Sequence, residues 1–218
     1  MNETMEKLAR LQAKLKPLPL ELHEKEHRYV WKPNGEVMSY SVTQVCNRKT
    51  PEQMAKIEAK RHEWEPRGNM VHRFGEAMLN HQPLPDPGIY AKWTDELQKH
   101  PFWNDFHPLA TEFRLCDLKR SIGGSCDAIG LNKNKVCLLD FKSQSSIKSS
   151  AYDCTPQLGG YVQMLNDQFD LYVEECRIVW VKPGRTVVSK SFDPDQCSVA
   201  FQNCWEEFQT KRQLETAW

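Results

Sequence analysis

The stretch IGGSCDAIGLNKNKVCLLDFKS, residues 122–143, holds two strand-like runs around a short polar turn and ends on Asp140, Phe141 and Lys142. Alternate side chains of a strand point to opposite faces, so Asp140 and Lys142 share one face while Leu139 and Phe141 enter the core. A two-residue turn at Lys133-Asn134 pairs Asn132 with Lys135. Counting on from that pair sets Asp127 opposite Asp140, with Cβ atoms about 4.5–5.5 Å apart. A four-residue loop on the same centre keeps this register, whereas an odd-length loop turns one carboxylate away.

The run before it, LATEFRLCD (109–117), extends the pattern. A turn centred between Lys119 and Arg120 places Glu112 opposite Asp127, and three carboxylates then line one face of an antiparallel meander. Like charges directly opposite one another destabilise a sheet, and such a row calls for a cation. Hard oxygen ligands favour Mg²⁺ or Mn²⁺, which keep coordination positions open for water and phosphate oxygens. A cation held there acidifies water and polarises a phosphate, while Lys142 on the same face holds or deprotonates the nucleophile and offsets developing charge. The alternative is a solvated strand face carrying ordinary surface acids. An apolar run of buried type leading into Asp140 and Lys142 argues against that.

Outward from this core, Met5, Leu8, Leu11 and Leu15 recur at helical spacing until the prolines of KPLPL intervene. HRYVWKPNGEVMSYSVTQV (27–45) reads as a hairpin about Asn34-Gly35. Thr50-Pro51 with Gln53 opens a helix to about Glu63, and a second helix is expected over Asn69–Asn80. NHQPLPDPG is a loop, and YAKWTDELQKH resumes a helical pattern. After the meander, Thr155-Pro156 supplies an N-cap for a helix to about Asn166. Strands follow in CRIVWVK and RTVVSKSF, then a last helix over Asp195–Arg212. The expected domain is a single one over 1–218: an N-terminal arm (1–26), a hairpin and helical part (27–108), the sheet core (109–192) and a C-terminal helix (193–218). The element order predicts an α/β fold, one mixed sheet flanked by helices.

Lys plus Arg and Asp plus Glu both total 29, so no global positive field attracts polyanions and any such attraction is local. The eight cysteines contain no C-x-x-C pair, which excludes a zinc ribbon or thioredoxin-type motif, and several lie in apolar runs as buried thiols do. No run approaches the ~20 apolar residues of a membrane span. The start lacks a signal peptide's apolar region and carries Glu3 and Glu6, unlike a transit peptide. A cytoplasmic or virus-encoded intracellular setting, with no membrane, is expected.

Asp127, Asp140 and Lys142 resemble the signature of the PD-(D/E)XK nuclease superfamily: an acid, a hydrophobic strand, then Asp or Glu, any residue and Lys. The chain is more closely similar to the RecB-like exonuclease branch, which includes phage recombination exonucleases and the mitochondrial genome maintenance exonuclease. Gln157 and Tyr161 in PQLGGYVQML match that branch's Gln-x-x-x-Tyr, and His72 in RGNMVHRFGEAML matches its metal-binding histidine. YSVTQV looks like the branch's entry to its first helices. The resemblance spans roughly residues 27–182. It implies a restriction-endonuclease-like fold and a Mg²⁺- or Mn²⁺-dependent deoxyribonuclease, an exonuclease rather than an endonuclease, serving DNA recombination, repair or replication. It implies Asp127, Asp140, Lys142, Gln157 and Tyr161 as catalytic residues. The implied metal ligands are His72, Glu112, Asp127, Asp140 and the Phe141 backbone carbonyl. Some members bind an iron–sulfur cluster through one early and three clustered late cysteines; this chain ends with only Cys197 and Cys204, and no cluster is expected.

For each residue a plainer role competes. Leu158, Tyr161, Val162 and Leu165 form an apolar stripe that core packing alone explains, and His72 with Glu76 would also suit an exposed helix face. Trp64, Trp93 and Trp103 offer faces for base stacking, although packing accounts for most tryptophans. Arg61, Arg67, Arg73, Lys148, Lys182 and Arg185 are candidate phosphate contacts. The expected partner is DNA, single-stranded or a duplex end, with a homo-oligomer open. The rival readings are a non-catalytic nucleic-acid-binding or assembly module on the same fold, and a metal-dependent phosphoesterase of small molecules.

Overall fold

A computed structural model describes residues 3–23, 26 and 28–216; His27, the first residue of the expected hairpin segment, lies outside them. Helix α1 (Glu3–Lys14) lays Leu11 on the main core, which Leu15 just beyond it also joins. Strands β1 (Leu20–His23), β2 (Arg28–Trp31) and β3 (Glu36–Val37) form a small antiparallel sheet. The Asn34-Gly35 turn is present, with Gly35 at φ 73°. Two features differ from expectation. β1 follows the prolines that end α1, because extended backbone tolerates what a helix does not. The second half of the hairpin segment splits into β3, β4 (Tyr40–Ser41) and a short helix α2 (Val42–Val45). Ser41 and Gln44 form a capping box there, which ends the strand and starts the helix.

The expected capping box of Thr50 and Gln53 opens α3 (Pro51–Glu58), which stops short of Glu63. The next helix, α4 (Arg61–Leu79), begins eight residues before expected and runs through Pro66. Arg61 braces the join by pairing with Glu58 at 2.9 Å and Glu65 at 2.7 Å, and the Trp64 indole donates to the Ile57 carbonyl. Helix α5 (Ala91–Gln98) follows the proline-rich loop.

The meander comprises β5 (Phe106–Asp117), β6 (Ile122–Asn132) and β7 (Lys135–Ser143). Lys133 and Asn134 take φ 48° and 67°, as a two-residue type I′ turn requires, and Asn132 pairs with Lys135. The other turn pairs Asp117 with Ile122, and the Asp117 carboxylate accepts the backbone N–H groups of Lys119 and Arg120. Both turns have the expected register, but the carboxylate pairs counted from them are not ladder pairs: β6–β7 pairing ends at Ala128–Leu139, one step short of Asp127 and Asp140, and Glu112 and Asp127 fall between the paired Thr111–Ala128 and Phe113–Cys126. Helix α6 (Thr155–Phe169) is longer than expected. Thr155 is its first residue and not its cap; its N–H and hydroxyl both donate to Asp153. Strands β8 (Glu175–Lys182) and β9 (Arg185–Val188) and helix α7 (Pro194–Thr216) complete the chain.

The main sheet runs β4-β6-β7-β8-β9, with β5 on β6; β7 pairs with β8 in parallel and β8 with β9 antiparallel. It is a mixed sheet flanked by helices. One face packs Ile129, Leu131 and Leu138 against α6 and α7 through Leu158, Tyr161, Leu165 and Phe201. The other packs Ala128, Leu139 and Phe141 against α4 and α5 through Val71, Phe74 and Leu97. Gly159 lets α6 and α7 touch, since a Cβ there would run into the Cys197 carbonyl. No helix among the described residues is long and apolar enough to cross a membrane.

Candidate functional site

The β6–β7 ladder stops at Ala128 and Leu139. Because β5 runs along one edge of β6, β4 and β7 share the other edge, β4 at Ile122 and Gly123 and β7 from Ala128 onward. Between them, from Gly124 to Asp127, the edge of β6 is open. Asp127 occupies the mouth of this gap, and its Oδ2 accepts the Phe141 backbone N–H. A strand residue sends its N–H and C=O to the same edge, so the Phe141 carbonyl also faces the gap.

Local irregularity aims the acids. Cys126 and Ile129 lie in the same core, so the alternation of β6 slips between them and releases Asp127 from simple strand geometry. Across from it, Glu112 has φ 45°, a left-handed conformation that non-glycine residues rarely adopt within a strand. From α4, His72 Nδ1 lies 3.3 Å from Asp127 Oδ1 and 3.4 Å from Glu112 Oε1. One ligand atom from each of the three residues lies within 4.8 Å of the others.

Asp140 stands outside this triad, gripped by Lys142. The Lys142 ammonium contacts Asp140 Oδ2 at 2.8 Å and Oδ1 at 3.0 Å, and donates to Gln157 Oε1 at 2.9 Å. Gln157 in turn donates to the Tyr161 hydroxyl at 3.2 Å. Helix α6 therefore meets β7 through a continuous polar chain, and Tyr161, although buried in the core, ends that chain with its hydroxyl. A Cβ at position 124 would stand 2.8 Å from the Tyr161 ring, so Gly124 admits it.

Electrostatics follow the geometry. Burial disfavours a charge on His72, yet Asp127 and Glu112 outweigh it and hold the imidazole well above its usual range. Burial likewise pushes Asp127 up, but His72, Lys142 and the Phe141 N–H bring it below the ordinary carboxylate value. For Asp140, burial prevails over Lys142, with help from Asp127, and raises it to about 6. Lys142 is raised despite burial by Asp140 and Asp127, and so keeps its proton.

The donor set fits a hard divalent cation. Asp140 Oδ2 is buried with the Lys142 ammonium as its neighbour, and His72, Glu112 and Asp127 each bring one ligand atom within 4.8 Å of the others. His72, Glu112 and Asp127 would hold Mg²⁺ or Mn²⁺, with Asp140 and the Phe141 carbonyl bordering the same gap; the imidazole suits Mn²⁺ better.

The remaining expected contacts do not converge. Arg61 is taken by Glu58 and Glu65, Lys182 donates to the Ser149 carbonyl, and Arg73 and Lys148 belong to separate elements. The indole N–H groups of Trp64, Trp93 and Trp103 donate to the carbonyls of Ile57, Gln144 and Leu97, which marks all three as packing residues. One neighbour of the site was missed. Tyr29 of β2 lies over Gly123, with its hydroxyl 3.3 Å from Ser125 Oγ. Burial is the main reason its pKa is raised, and the charges of Glu112 and Asp127 add to it. The paired Gly123-Gly124 was the signal, since two absent side chains make room on both faces of a strand.

No protein-family model matches the chain, and no curated protein matches it. Among solved structures, the crystal structure of SSO0001 aligns over 93% of this chain and 85% of that one, at 15% identity and a TM-score of 0.39. So loose a likeness carries no argument about function.

Proposed function

We propose that this chain is a metal-dependent nuclease of the RecB-like PD-(D/E)XK kind, shortening DNA from an end by phosphodiester hydrolysis. The observation supporting this reading is the meeting of His72, Glu112 and Asp127 with the Asp140–Lys142–Gln157–Tyr161 chain at one gap in the sheet. A structural role alone gives no reason to concentrate acids there. Bound Mg²⁺ or Mn²⁺ would neutralise phosphate charge and acidify water. Lys142, protonated and oriented by Asp140 and Gln157, donates to an attacking water or a phosphate oxygen and offsets the negative charge that builds up in the transition state. Tyr161 restrains Gln157, and Gln157 restrains Lys142.

The test is incubation of the protein with end-labelled single- and double-stranded DNA in Mg²⁺, Mn²⁺ or EDTA. Metal-dependent shortening from an end is expected, and Lys142→Ala or Asp140→Asn should lower the rate by about 10²–10³. Undiminished cleavage by either variant rejects this mechanism, and binding without cleavage in any metal selects the non-catalytic module. In the same preparations, Mn²⁺ affinity should drop for His72→Ala and Glu112→Ala by roughly ten- to a hundredfold. A residue whose loss leaves affinity unchanged is not a ligand.

A further inference from the structure

Strand β4 and the gap lie on the same edge of β6: Tyr40 pairs with Ile122, Ser41 with Gly123, and the open stretch begins at Gly124. Tyr40 also lines two cavities. The first, of about 290 Å³, is bordered by Arg28, Tyr29, Ser39 and Ser41, with Glu26 its only acid. Through the Tyr29 hydroxyl, which lies 3.3 Å from Ser125 Oγ, it reaches the gap. The second, of about 400 Å³, is a groove between the β5–β6 turn and the second half of α7. Lys119, Arg120 and Arg212 line it together with Tyr40, Trp205 and Phe208, and none of its lining residues is acidic.

Rings and cations are interleaved in the groove. The Phe208 ring stacks on Trp205 with centroids 6.0 Å apart and meets Tyr40 edge-on at 5.0 Å. The guanidinium of Arg120 lies 5.8 Å from the centre of the Trp205 ring, and that of Arg212 lies 5.1 Å from the Tyr40 ring. Gln163, Gln202 and a 3.5 Å contact with Asp117 hold Arg120 in place. Packing accounts for the buried Trp205, but it leaves Tyr40 and Phe208 half-buried and Lys119 exposed, with no ion pair to Lys119 among the described residues. A basic lining favours a polyanion, and half-exposed rings favour one that carries flat apolar faces. Single-stranded nucleic acid has both. A duplex hides its base faces, and an acidic peptide supplies charge without a row of them.

We propose that this groove is a second docking site for the single strand that enters the gap, taking bases against Tyr40 and Phe208 and phosphates against Lys119 and Arg212. From Ile122, beside Tyr40, to Asp127 in the gap, β6 advances roughly 17 Å, the span of about five stacked nucleotides. The identity of the occupant rests on the nuclease reading, and the site deepens it: only a strand long enough to span both places gains from the groove.

The experiment measures binding of a dye-labelled oligothymidylate of about 16 nucleotides by fluorescence anisotropy, in EDTA so that no cleavage intervenes. Lys119→Glu combined with Arg212→Glu should weaken binding roughly tenfold or more and lower the salt slope by about 1.4, the share of two phosphate contacts on a single strand. Lys133→Glu combined with Lys135→Glu changes the net charge equally at the other end of β6 and should leave affinity within about twofold. Phe208→Leu keeps an apolar side chain but no ring; it should weaken binding about fivefold or more with the salt slope unchanged, and it decides the matter if the charge reversal unfolds the protein. Undiminished affinity in either folded groove variant, or an equal loss in the Lys133 and Lys135 control, overturns the site. So does a polyglutamate peptide that binds the groove as tightly as the oligonucleotide. Binding that depends on Lys119 and Arg212 in a protein that cleaves no DNA in any metal would reject the nuclease reading and leave the groove standing. Cleavage of the same strand, with affinity undiminished by the charge reversal, would do the reverse.

Discussion

Glu112 combines two costs in one residue: a left-handed backbone and a carboxylate placed opposite another. Backbone strain of this kind amounts to about 1–3 kcal/mol and persists where surrounding structure enforces it. Comparing glycine with alanine at this position separates strain from charge, since both remove the carboxylate and only glycine adopts φ 45° freely. Glu112→Gly should therefore be more stable than Glu112→Ala by about 1 kcal/mol in urea denaturation. Equal stabilities would mean that the conformation costs nothing. Glu112 was reachable from sequence only through a register count. Its backbone was not, because no local glycine or asparagine announces a left-handed residue there.

Turns and caps with local chemistry were the most legible elements. Lys133-Asn134, Asn34-Gly35 and the Thr50–Gln53 box were placed correctly because their signals lie within a few residues. The break at Ala59-Lys60 was misplaced: the gap was expected after about Glu63, where α4 instead runs on through Pro66. The opening beside Gly124–Asp127 was illegible: it arises from β4 and β7 docking on one edge of β6 from distant parts of the chain. So was the burial of Arg67, because spacing along α4 does not say which face meets β7. Contact between α6 and α7 depends on Gly159, and Gly159→Ala should destabilise the fold by about 1–3 kcal/mol through overpacking, measured by denaturant titration. An unchanged midpoint would show that the two helices separate without cost.

At the scale of the whole molecule, the zero net charge hides a sharply local arrangement, with acids and Lys142 gathered at one gap and a second buried ion pair on the same sheet. In that second pair burial pushes Glu175 up, but Arg177 and Asn132 prevail and hold it below its usual value. A depressed carboxylate contributes stability that is present above its unfolded value, near about 4.3, and is lost as pH falls through the folded one. Melting temperature should therefore decline on that acid limb. Glu175→Gln should flatten this part of the decline and cost about 3 kcal/mol at neutral pH by stranding Arg177. An acid limb of unchanged slope in Glu175→Gln would remove Glu175 from the account.

The bond from the Phe141 amide to Asp127 turns one backbone proton into a reporter. That proton is shielded by a side chain where the ladder to β6 has already ended. Neutralising the carboxylate with Asp127→Asn, or drawing its oxygens toward a cation, should change hydrogen–deuterium exchange at Phe141 while Leu138 and Leu139, held by the ladder, keep their slow rates. The occupancy of the gap can then be followed by NMR on the resting protein, with no substrate present.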